Sequence, residues 1–299
     1  MSSDRARGAL LGLACGDAVG TTVEFLRRGT FARVTDMVGG GPFRLKPGQW
    51  TDDTSMALCL AESLVECERF DPVDQMNRYV DWFRRGHLSS TGVCFDIGNT
   101  TRRALADFVR TGDPFSGPTG PDTAGNGSIM RLVPVVLAFF PDRQRVRHFS
   151  GESSRTTHGA AEAVTSCQIL GEILAALLSG DTKESALLSA QPPSSASPRL
   201  EDIVAGSYRS KVDREVRGTG YVVDCLEAAL WCFWSSDSFE EAILLATNLG
   251  DDADTTAAVC GQLAGAHWGD EAIPKSWLEK LAMRDSIQTY ADKLLAAAF

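Results

Sequence analysis

Apolar residues in this chain recur at helical spacing, and no stretch alternates convincingly as a strand would. That rhythm restricts the fold more than any other feature. Ala163, Cys167, Leu170, Leu174 and Leu177 follow at spacings of four, three, four and three, lining one face of an α-helix. Met283, Ile287, Tyr290 and Leu294 repeat the pattern near the C-terminus. Val222–Trp234 is apolar nearly all round, which predicts a central, buried helix. Further helical patterns cover about Ser55–Glu66, Pro72–Arg84, Asn99–Arg110, Ile129–Phe140, Phe239–Thr247 and Thr255–Trp268. The expectation is an all-α protein.

The punctuation fits one domain. Residues 37–50, 111–128 and 191–199 are loops by their Gly, Pro and Ser content, and the third reads as a plain surface connection. No break in composition divides the 299 residues, and no repeat of solenoid length occurs, so residues 1–299 are expected to form a single domain. A net charge of -10 argues against extended nucleic-acid contact. Eight cysteines are scattered without a CxxC pair, which suits a reduced, cytoplasmic chain. The apolar run Ala9–Cys15 is short and ends before Asp17; it reads as a Gly/Ala-rich first helix and not as a signal peptide. No stretch approaches the roughly 18 apolar residues of a membrane span.

Chemistry concentrates in a few polar clusters. "NLGDDADTTAAV" (248–259) packs three aspartates and two threonines into Asp251–Thr256, at the head of an apolar helix. It is no EF-hand loop: counted from Asp252, the sixth position is Ala257 and the twelfth Leu263. Thr51, Asp52 and Asp53 in "QWTDDTS" offer the same donors. Read separately, each cluster is a helix cap; read together, they are two halves of a site for magnesium or manganese, with enough carboxylates for two ions. From the residues alone the two readings are about evenly matched. Gly98–Asn99 and Gly125–Asn126–Gly127–Ser128 sit ahead of helical patterns, where small residues let amides approach an anion, although ordinary glycine loops with Asn or Ser caps are the favoured reading of either one alone. Asp96 is a general base or a turn acceptor. His158 reads as a structural hydrogen-bonder, and Glu24 as a solvent-facing acid or a metal neighbour.

The ordered set "GALLGLACGDAVGTTVEF" (8–25), "LKPGQWTDDTSMAL" (45–58), "DIGNT" (96–100), "AGNGSIMR" (124–131), "RTTH" (155–158), "GYVVDCLEAALW" (220–231), "NLGDDADTT" (248–256) and "IPKSW" (273–277) resembles the ADP-ribosylglycohydrolase family, and its branch acting on dinitrogenase reductase in particular. The resemblance implies one compact multi-helix domain with a dinuclear magnesium or manganese cleft. It implies Thr51, Asp52, Asp53, Asp252, Asp254 and Thr255 as metal ligands, and Asp96 and Glu24 as acid/base groups. It further implies that Gly98, Asn99, Gly125, Asn126, Gly127, Ser128, His158 and Tyr221 line the ADP-ribose site. One departure is Asp251, where many relatives have a second glycine. The activity implied is hydrolysis of the bond between ADP-ribose and a protein side chain, most naturally arginine, with ADP-ribose as product. Serine-linked or free ADP-ribose derivatives, a toxin-immunity role and a non-catalytic binding relative are the alternatives.

Overall fold

A computed structural model describes residues 3–297 of the chain. It is all-α: fourteen α-helices and a few 3-10 turns, with only isolated β-bridges among the described residues. In chain order the helices are α1 (Ser3–Gly20), α2 (Asp52–Cys67), α3 (Pro72–Arg85), α4 (Asn99–Thr111), α5 (Val133–Phe139), α6 (Arg143–Arg155) and α7 (Ala161–Ser179). Then follow α8 (Lys183–Leu187), α9 (Pro198–Val204), α10 (Val222–Trp234), α11 (Phe239–Thr247), α12 (Ala253–Trp268), α13 (Lys275–Lys280) and α14 (Arg284–Ala296). One continuous apolar cluster runs through them.

The centre of the molecule is the antiparallel pair α1 and α12, and glycine sets its spacing. Gly8, Gly12, Gly16 and Gly20 recur every fourth residue on one face of α1 and meet Gly265, Gly261, Ala257 and Ala253 in reverse order. A Cβ on Gly12 would lie 2.2 Å from the Gly261 carbonyl oxygen, and one on Gly16 2.1 Å from that of Ala257. The backbones touch, so no larger residue fits. This seam delivers the C-terminus of α1 beside the N-terminus of α12, and Gly20 packs against Asp254.

Three expectations change. Helix α5 starts at Val133 and not at residue 129, because Pro134 stands in its first turn; a proline lacks the N–H and crowds the carbonyl four residues back, so the helix cannot extend through it. The 191–199 connection contains the start of α9, again with a proline in the first turn. And one helix, α7, is long and apolar enough by length and composition to cross a membrane, with a mean hydropathy of 1.4 over its window. Its apolar residues, Ile169, Leu170, Ile173, Leu174 and Leu177 among them, are instead buried in the protein core.

Candidate active site

Helix ends converge on a cavity of about 360 Å³. The chain leaves α1 through Thr21–Val23 and reaches Glu24. Helix α2 opens with Asp52 and Asp53, and α12 with Asp254 and Thr255 in its first turn. The N-terminus of α4 presents Gly98, Asn99 and Thr100 to the same space. Both acidic helices begin earlier than their apolar patterns suggest, so the aspartates are first-turn residues, where the helix dipole favours negative charge.

The two-cap reading fails. Thr51 and Asp252 occupy the N-cap positions of α2 and α12, yet neither side chain makes a capping hydrogen bond. The Thr51 hydroxyl donates to Asp17 Oδ1 at 3.0 Å and lies 3.4 Å from Asp254 Oδ2. Asp252 Oδ2 accepts from Asn126 Nδ2 at 2.8 Å, and Thr255 Oγ1 donates to Asp53 Oδ1 at 3.3 Å. Residues some two hundred positions apart are thus interleaved across one cluster.

Glu24, Asp52, Asp53, Asp96, Asp252 and Asp254 all line the cavity. Glu24 is 3% exposed, which overturns its reading as a solvent-facing acid. Carboxylate oxygens of Glu24, Asp96 and Asp254 lie within 4.8 Å of one another. At an effective dielectric near 20, two unit charges at that distance repel by about 3–4 kcal/mol. Protons relieve this. Burial, and then the charges of Asp96, Asp252 and Asp17, push Glu24 up to about 10; burial, and then Asp17 and Asp252, push Asp96 up to about 8. Asp52, Asp53 and Asp254 are held well above the usual carboxylate range, first by burial and then by neighbouring carboxylates. Asp53 Oδ2 and Asp254 Oδ1 are buried with no hydrogen-bond partner. Hard oxygen donors, surplus negative charge and two orphaned buried oxygens together fit a divalent cation.

Asp17 is the residue that the sequence reading passed over. It is 0% exposed on α1 and accepts from the Thr51 amide (2.9 Å) and hydroxyl (3.0 Å) and from the Thr54 amide (3.0 Å) and hydroxyl (2.6 Å). Burial lifts it to about 6 against the pull of those hydrogen bonds. It ties α1 to the first turn of α2 and so orients Asp52 and Asp53. A lone acid inside "GLACGDAVG" was the available signal.

The remaining expected residues divide. Gly98, Asn99, Gly125, Asn126, Gly127 and His158 line the cavity. Ser128 does not: its hydroxyl is buried against Ser154 and Cys167. Tyr221 also lies outside the lining, its hydroxyl donating to Glu162 at 2.5 Å and its ring under Arg199. The Gly125–Ser128 segment forms a turn ahead of α5 and not a helix N-terminus. Its glycines make room for a side chain: a Cβ on Gly127 would stand 2.7 Å from His158 Cε1. Asp251, absent from the lining, sits at φ 56° and faces Phe25 at φ 64°. The two clasp each other through Phe25 N–H to Asp251 O (2.7 Å) and Asp251 N–H to Leu26 O (2.8 Å). A left-handed conformation is a strain for phenylalanine, and the clasp maintains it beside Glu24.

Comparison with known proteins agrees with this geometry. The model of a family described as ADP-ribosylglycohydrolase matches residues 2–299. The chain is 50% identical over 297 residues to the ADP-ribosylarginine hydrolase Tri1 of Serratia proteamaculans (strain 568), covering 99% of this chain and 80% of the relative. It is 51% identical over 295 residues to the protein of the same name from Pseudomonas putida (strain GB-1), covering 99% and 79%. The ADP-ribosyl-[dinitrogen reductase] glycohydrolase of Rhodospirillum rubrum is 35% identical over 305 residues, with 99% and 97% covered. A solved structure titled ADP-ribosylglycohydrolase-related protein complex superposes with a TM-score of 0.88 at 44% identity, over 99% of both chains.

Proposed function

This chain belongs to the ADP-ribosylglycohydrolase family and is a hydrolase of glycosidic bonds to ADP-ribose, and from that premise we propose that it releases ADP-ribose from arginine side chains of modified proteins. The observation that carries the chemistry is the buried carboxylate cluster with its two unpartnered oxygens. The arginine linkage is supported by the names of the two relatives at 50% and 51% identity. The cavity mouth supports it too. Phe25, beside Glu24, is 66% exposed and lines the cavity, and a guanidinium stacks well on an aromatic face.

In this reading Thr51, Asp52, Asp53, Asp252, Asp254 and Thr255 hold two divalent cations, magnesium or manganese. When bound, these ions supply charge neutralisation and Lewis-acid polarisation of the ribose oxygens. The chain's own residues do the rest. Glu24 and Asp96 hydrogen-bond to each other within the cluster, and this pair would serve as the acid/base couple. The bond between the anomeric carbon and the guanidine nitrogen breaks, water supplies the oxygen to that carbon, and the proton of water ends on the departing nitrogen. The first turn of α4 and Asn126, which line the same cavity, orient the sugar and phosphates.

The test is release of labelled ADP-ribose from arginine-modified and serine-modified protein, with magnesium or manganese present. Release from the arginine substrate is expected. Absence of release from it with either cation sinks the proposal, and release from the serine substrate alone would transfer the enzyme to that linkage.

A further inference from the structure

Arg131 is 0% exposed, and among the described residues no carboxylate pairs with its charge. Its guanidinium donates to Gly127 O (2.8 Å), Ser153 O (3.4 Å), Thr156 Oγ1 (3.4 Å) and Thr157 Oγ1 (2.7 Å), and it stacks over Tyr79. A buried cation among neutral acceptors is a poor way to gain stability, so what it does to its partners matters more. The shortest of these bonds reaches Thr157, itself 0% exposed, whose hydroxyl lies 2.9 Å from His158 Nδ1.

Proton counting orients this chain. An arginine only donates, so Thr157 Oγ1 accepts from Arg131. The threonine's own proton then needs an acceptor, and His158 Nδ1 is the one within reach among the described residues. A proton on Nδ1 would leave a buried hydroxyl proton without an acceptor, the costly arrangement. With Nδ1 accepting, the imidazole proton resides on Nε2. That atom makes no hydrogen bond among the described residues; it faces Gly125 and Gly127, where added Cβ atoms would come within 3.4 and 3.0 Å of it, and the ring lines the cavity. Burial and the Arg131 charge push His158 down to about 3, so the ring stays neutral across the working range.

We infer that Arg131 and Thr157 are positioning residues, which hold the His158 proton on Nε2 and so present a fixed N–H donor to a phosphoryl oxygen of the ligand in the cavity. The ligand's identity rests on the activity proposed above; the relay itself does not. The donor is aimed before the ligand arrives and brings no positive charge with it. The arginine's charge stays on the guanidinium, bonded to Gly127 O and Thr157 Oγ1, and only the direction of the threonine proton is passed on.

The experiment is two-bond ¹H–¹⁵N spectroscopy of magnesium-loaded protein labelled at histidine nitrogen, with His158 assigned by its loss in His158→Gln. The wild type is expected to show an unprotonated Nδ1 and a protonated Nε2 from pH 6 to 8. Thr157→Ser should keep that signature. Thr157→Val should lose it and weaken ADP-ribose binding about tenfold by calorimetry, the scale of one aligned hydrogen bond, with magnesium affinity unchanged. A proton on Nδ1 in the wild type overturns the inference, as does a Thr157→Val protein with either the signature or the ADP-ribose affinity of the wild type. Should Thr157→Val not fold, the wild-type spectrum still decides. The tautomer is read without substrate, so failure to hydrolyse arginine-linked ADP-ribose would count against the proposed activity alone.

Discussion

Asp251 shows how one residue can belong to a motif and stand outside its chemistry. Its place in the acidic run suggests a ligand, but its backbone lies at φ 56° and its main chain clasps residues 25 and 26. Glycine adopts that conformation freely and aspartate tolerates it. Asp251→Gly is therefore expected to keep activity within about twofold and to change stability by less than about 1 kcal/mol in urea titration. A collapse in turnover would return its carboxylate to the site. Asp254 is the opposite case, with an orphaned oxygen inside the cluster. Asp254→Asn should abolish hydrolysis while the metal-free protein melts higher than wild type. Because burial and the neighbouring carboxylates raise Asp254 above its ordinary range in the folded protein, the wild type loses stability as pH rises past the value for the unfolded chain. The advantage of Asp254→Asn should thus grow as pH rises above the ordinary aspartate range; an advantage that shrinks with pH refutes this account.

Among the helices, the α1–α12 seam governs the site. Its six glycines, four on α1 and two on α12, are spaced so that two backbones touch, and the contact fixes how near Glu24 comes to Asp254. Small-to-large changes in packed interiors usually cost about 1–3 kcal/mol. Gly12→Ala should fall at or above the top of that range in chemical denaturation, because its Cβ would meet backbone and not a movable side chain. A loss under about 1 kcal/mol would mean that the seam can open. The element ends were harder to read than the elements. Apolar periodicity stops where a helix turns polar, so the first turns of α2 and α12, which carry the ligands, fell outside the pattern. Helix α6, "RQRVRHFSGESSR", has too weak a stripe to announce itself. Pro134 marks the true start of α5.

For the whole molecule, the interior holds acids that water would keep ionised, and divalent cations are the natural remedy. Removing them with a chelator should abolish activity and lower the melting temperature more at pH 8 than at pH 6, and magnesium or manganese should restore both. Equal melting with and without cation at pH 8 would contradict the metal reading. The sequence by itself determined the all-α class and the residue types of the two acidic clusters, since periodicity and donor chemistry are local properties; that the clusters form one centre was decided by the fold. It could not determine which polar groups face the cavity. Ser128 and Tyr221 turn away while Asp17 turns in behind Thr51 and Thr54, and His158 passes from structural bystander to cavity wall. Those choices depend on two backbones meeting at glycine and on which buried donor finds which acceptor. Only the tertiary structure brings the partners close enough to settle them.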